Sequence, residues 1–118
     1  WEARLRSVFK GTAESFIALE DTLQKNDGKK RMQRVDRILE NWDKLVKIME
    51  KAPDPDELEA TLKRSGMPTR ASEIGLCADD VADAFVCSRD TRDKYLTSSL
   101  IWDIGYMDEF EAFVKELA

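Results

Sequence analysis

Met32, Val35, Leu39, Trp42, Val46 and Met49 stand three and four residues apart, with Ile38 and Leu45 beside them. An α-helix turns once every 3.6 residues, so this interval gathers the apolar side chains into one stripe; a strand would scatter them over two faces. A stripe of that length calls for a second apolar surface to cover it. An earlier one is available in Leu5, Phe9, Thr12/Ala13, Phe16, Leu19 and Leu23. Between the two lies Asn26-Asp27-Gly28, a turn signal tolerant of positive φ. Residues 1–52 are therefore expected to form an antiparallel helical hairpin whose stripes face one another. Trp42 falls on that seam, and Trp42→Ala is expected to cost about 3–5 kcal/mol there.

Pro53-Asp54-Pro55 stops the second segment, because proline lacks an amide donor and drives its predecessor out of helical geometry. Asp54 then serves as cap and Pro55 as first helical residue of a short helix running to Arg64, ended by Gly66 in left-handed conformation. Beyond a second break at Gly75, helices are predicted over Ala78–Ser88, about Thr91–Ile104, and Met107–Leu117. They bury Val81, Ala82, Phe85 and Val86; Tyr95, Leu96, Leu100, Ile101 and Trp102; and Met107, Phe110, Phe113, Val114 and Leu117. Gly105 separates the last two. No stretch alternates with period two, so no sheet is expected. The predicted fold is all-α, about six helices: the hairpin, then a compact bundle of shorter helices over 54–118.

At 118 residues the chain is one domain, large enough for a core without disulfide or metal staples. A net charge of −5 argues against a nucleic-acid partner, which would need a clustered basic face. No apolar run approaches the ~20 residues of a membrane span, and WEARLRSVFK is no signal peptide. Cys77 and Cys87 read as reduced thiols of a cytoplasmic protein rather than a disulfide. The absence of histidine removes the commonest general base, metal ligand and nucleophile partner. Because the chain starts at Trp1 and not at methionine, it is expected to be part of a longer or processed product.

Candidate chemistry concentrates after residue 76. Cys77 sits where a helix N-cap would, with Asp80 at the position of a capping-box acid, so its thiol is more simply a cap than a nucleophile. Asp79, Asp80 and Asp83 lack the spacing of a calcium loop and suit the first turn of a helix. Arg89, Arg92 and Lys94, beside Tyr95, form the one basic cluster at a helix junction. Two guanidinium forks and an ammonium suit a phosphate-bearing ligand. Asp90 and Asp93 interleave with them, and an internal ion-pair network is the more economical reading of these residues.

The stretch LKRSGMPTRASEIGL, followed at an interval by SRDTRDKYLTSSLIWDIG, resembles the C-terminal helical region of bacterial-type sn-glycerol-1-phosphate dehydrogenases, in the iron-containing alcohol dehydrogenase/dehydroquinate synthase-like superfamily. Leu62, Gly66, Pro68, Thr69, Glu73, Ile74, Gly75, Asp80, Arg92, Asp93 and Tyr95 match the family's pattern. Cys77 in place of a serine cap, Thr91 in place of an apolar residue and Leu96 in place of a threonine depart from it. The resemblance is specific over the second half of the chain and loose over the first.

It implies an enzyme that reduces dihydroxyacetone phosphate with NAD(P)H and a divalent metal (Zn, Ni or Fe), in which the all-helical domain supplies the metal-binding aspartate and two histidines and an N-terminal half binds the nucleotide, with the histidine motifs and the cofactor turn both upstream of this sequence. That half would be the main partner, with a homodimer also allowed for. No catalytic, cofactor or metal residue is carried over to this chain, which is expected to be inert alone. The other reading is a free-standing acidic helical module that binds a partner protein.

Overall fold

The computed structural model describes all residues from Trp1 to Ala118, and every regular element in it is helical. The helices are α1 (Glu2–Phe9), α2 (Ala13–Leu23), α3 (Gly28–Glu40), α4 (Trp42–Met49), α5 (Pro55–Arg64), α6 (Ala78–Ser88), α7 (Thr97–Asp103) and α8 (Met107–Leu117), with 3₁₀ turns at Lys10–Thr12 and Ala71–Ile74. The all-α expectation stands. The six predicted segments appear as eight helices because the first two are each interrupted.

The first interruption folds the opening stripe on itself. Lys10 adopts φ 49°, a left-handed conformation unusual outside glycine, and Thr12 Oγ1 donates 2.9 Å to the Phe9 carbonyl. α2 thereby returns against α1, with the Phe9 and Phe16 rings edge to face at 4.8 Å. Leu5 and Ala13 meet Cys87 of α6 in the innermost cluster, flanked by Val8, Phe9, Phe16 and Ile17. α6 packs most extensively on α8, where Phe85 stacks on Phe110 at 5.5 Å. Arg4 crosses this junction. Its Nε donates to Asp83 on α6 at 2.8 Å, and its two Nη atoms to Glu111 on α8 at 2.8 and 2.9 Å.

Local chemistry sets the helix ends. Asp27 accepts from the Lys30 amide at the start of α3, and Asp54 from Asp56 and Glu57 at the start of α5. α5 closes at Gly66, φ 71°, with its amide bonded to Lys63 O and the next to Leu62 O; α7 closes the same way at Gly105. The turn before α3 differs from its prediction. Gln24, at φ 52°, takes the left-handed position, and Gly28 is the first residue of the helix.

Three expectations fail, the smallest being the burial of Tyr95, Phe113 and Leu117, which are 54%, 47% and 47% exposed. The predicted helix from Thr91 is helical only from Thr97; residues 91–94 form bends, because Lys25 captures the Arg89 and Arg92 carbonyls that would otherwise begin a helical ladder. The largest correction concerns the hairpin. Both its arms are present, but the second arm's stripe faces solvent: Met32 is 59% exposed, Leu39 67%, Trp42 41% and Met49 50%. The first arm's stripe is already taken, since α1 and α2 cover one another and then α6. Only Ile38 is buried on α3, and no residue of α4 or α5 is.

The molecule is correspondingly open. Its radius of gyration is 16.3 Å, where a compact chain of this length has about 13.5 Å. Its accessible surface is 8462 Å², roughly 1,900 Å² more than a compact monomer of this mass shows.

Candidate functional site

Where α3, α6 and α7 converge, Trp102 of α7 is the central ring. The guanidinium of Arg89, just past α6, lies 4.0 Å from its centroid and that of Arg31, on α3, 4.5 Å. A guanidinium is weakly hydrated and planar, so an indole face compensates part of its desolvation. Arg31 Nη2 also donates to the carbonyls of Trp102 and Asp103 at 3.0 and 3.1 Å, placing a cation at the negative end of α7. Arg89, which is buried, donates to Asn26 Oδ1.

Asp103 is the second node. Its side chain is 1% exposed and accepts a bidentate pair from Arg34 at 2.8 and 2.9 Å. The Tyr95 hydroxyl donates to the same carboxylate at 2.8 Å. Burial, and then this bond to an anion, push the Tyr95 phenol far above its ordinary value, so it stays protonated at neutral pH. Lys25 Nζ donates to the Arg89 and Arg92 carbonyls at 2.8 and 2.9 Å. Ser88 and the buried Ser98 share a hydrogen bond at 2.7 Å that ties α6 to α7.

Two groups here keep a buried polar atom without a partner, Arg31 at Nε and Asp90. The Asp90 carboxylate is buried, Oδ1 has no hydrogen-bond partner, and the nearest cation is Arg89 Nε at 3.5 Å. Burial raises its carboxyl above the usual range despite that neighbour, and the same burial lowers Arg89. Asp90 borders a cleft of about 390 Å³ also lined by Arg4, Arg31, Arg89, Trp102 and Met107.

The four residues singled out from sequence do not form one cluster. Arg89 turns inward to Trp102, while Tyr95, 54% exposed, reaches Asp103 with its hydroxyl, and both line a small recess of about 50 Å³ with Lys25, Arg34 and Ser99. Arg92 and Lys94 are exposed, as is Asp93 between them. Of the internal pairing expected of this run, Arg89–Asp90 is present at 3.5 Å, and the rest of the network is carried by Arg31, Arg34, Lys25 and Asp103, residues distant in sequence. Only Asp103 left a trace there, as a lone carboxylate inside the apolar run LIWDIG.

No protein-family profile, curated protein or solved structure matches the chain.

The family-like stretch serves as a series of helix stops and starts. Glu73 Oε1 accepts from the amides of Thr69 and Arg70 at 3.2 and 2.9 Å, and Asp80 Oδ2 from the Cys77 amide at 2.8 Å, the capping acid foreseen at that position. Cys77 is exposed and Cys87 buried, both as free thiols, and burial raises the Cys87 thiol above its ordinary value. No three Cys, Asp or Glu side chains gather to hold a metal ion. No helix is long and apolar enough to cross a membrane. The arrangement offers ion-pair geometry around two nodes and an open cleft.

Proposed function

We propose that this chain is the helical part of a cytoplasmic, NAD(P)- and metal-dependent dehydrogenase resembling the sn-glycerol-1-phosphate dehydrogenases, reducing dihydroxyacetone phosphate only together with a nucleotide-binding half. The observation that carries the reading is the uncovered surface of α3–α5. The whole chain, these helices included, shows roughly 1,900 Å² more surface than a compact monomer, the scale of one side of an obligate interface. The matching residues support it in a second way: Gly66, Glu73 and Asp80 are spent on capping, which is what a fixed motif in a scaffold would do. Arg89 and Tyr95 then act as supports of the α6–α7 junction bordering a substrate cleft, while Arg92 and Lys94 stay free to meet a phosphate.

The test is to read the frame upstream of the Trp1 codon and assay its product. A glycine-rich βα turn, an aspartate and two histidines, with NAD(P)H oxidation on dihydroxyacetone phosphate, are the expected outcome. A start codon immediately before Trp1, or turnover by the 118 residues alone, overturns the reading. A start codon would favour the free-standing acidic interaction module.

A further inference from the structure

The open stripe of α3 and α4 has an electrostatic edge. Asp36 on α3, Asp43 on α4 and Glu50 at the end of α4 each follow a stripe residue, at intervals of seven, and so stand beside the stripe before and after the break at Asn41. All three are exposed. The i,i+4 ion pairs of this molecule lie in α1, α5 and α8, none in α3 or α4, and the acidic edge has no basic partner within the chain. The opposite edge carries Ile38, which is already buried in the domain.

We propose that this face docks one amphipathic helix whose apolar side is flanked by lysines or arginines, and that the helix belongs to the preceding part of the same full-length chain. The second clause rests on the functional reading above; the chemistry of the face does not. A second copy fits poorly. Paired antiparallel, two such faces set Asp36, Asp43 and Glu50 against themselves. Paired parallel, they set those acids against the Ile38 edge that the domain has already used. A basic flank resolves both, and the alternation of three and four residues matches helix packing into a groove.

The experiment uses two synthetic 21-residue amphipathic peptides with leucine at alternating three- and four-residue spacing. One is edged with lysine and the other with glutamate, and each is titrated against the chain by fluorescence anisotropy. The lysine-edged peptide is expected to bind about tenfold tighter, three exposed charge pairs being worth that much together. The triple variant Asp36→Lys/Asp43→Lys/Glu50→Lys reverses the order, and Leu39→Glu removes binding of both, with far-ultraviolet circular dichroism unchanged in each. Equal binding, no binding, or a dimer in sedimentation that Leu39→Glu dissolves overturns the proposal. In the full-length product, amides of residues 32–50 exchange more slowly than in the 118-residue chain. Equal exchange there sinks this inference while leaving the dehydrogenase reading intact; a start codon before Trp1 sinks both.

Discussion

The innermost residues of α1, α2 and α6 and the stripe of α3–α4 are both apolar, and they end in opposite states. Leu5, Ala13, Ala82 and Cys87 are almost fully buried. Met32, Leu39, Trp42 and Met49, in the more regular stripe, are between 41% and 67% exposed. Regular spacing identifies a face that needs cover; it carries no information about whether the cover lies within the chain. In the buried region, cover is supplied by short helices folded back on one another and pinned by Arg4 across α1, α6 and α8. In the other, α3 is held to α7 by the Arg34–Asp103 pair and Arg31, leaving its outer side bare.

The comparison breaks most directly at Leu5. With a 1% exposed side chain at the meeting of α1, α2 and α6, Leu5→Ala removes apolar contact and leaves a cavity in a core of few members. The expected loss is about 2–5 kcal/mol, most of what a small domain holds in reserve. A urea midpoint lowered by less than a quarter would mean that this cluster is not the core. Next in size is Asp103→Asn. It leaves Arg34 without its anion and weakens the Tyr95 bond, for an expected cost of about 2 kcal/mol, tempered by the partial exposure of Arg34. An unchanged melt would show that α3 is not held through this node.

Two acids sharpen the contrast through pH. Glu111, bonded to Arg4, has its carboxyl held below the ordinary range, so its contribution is present above the unfolded value and is lost as pH falls through the folded one. Asp90, pushed up by burial, does the reverse: its contribution is present below the unfolded value and is lost as pH rises through the folded one. Urea midpoints between pH 3 and 7 should therefore show the native chain gaining on Glu111→Gln as pH rises and losing ground to Asp90→Asn. Parallel curves for both variants would contradict the assigned environments.

Much of the fold was legible. Pro53-Asp54-Pro55, Gly66, Gly105 and the Cys77/Asp80 cap act locally, through backbone geometry that neighbouring residues determine, and the ends of α5, α6 and α8 fall where those signals put them. The break at Lys10 was not, because a left-handed lysine owes its conformation to the return of α2 onto α1 rather than to its own preference. The start of α7 was missed for a similar reason, Lys25 arriving from far away to hold two carbonyls. The site was the least legible part. The basic run 89–94 drew attention by density, yet the working pairs join residues about seventy positions apart, and no spacing rule relates Arg34 to Asp103.

The smallest expected effect discriminates best between the two regions. On a closed hairpin seam Trp42→Ala would cost about 3–5 kcal/mol; at 41% exposure the indole has little protein to lose, and the expected cost in the chain alone is under about 1 kcal/mol. The same substitution made in the presence of a covering helix should cost more, because the indole would then leave a desolvated interface, where truncated tryptophans weigh heavily. The measurement is a pair of urea melts of native and Trp42→Ala chain, without and with a saturating lysine-edged peptide. A small gap that widens when the peptide is added means that α3–α4 is an uncovered interface. A large gap in the chain alone would mean instead that the stripe finds its cover inside these 118 residues, and that the contrast between the two regions is smaller than their exposures indicate.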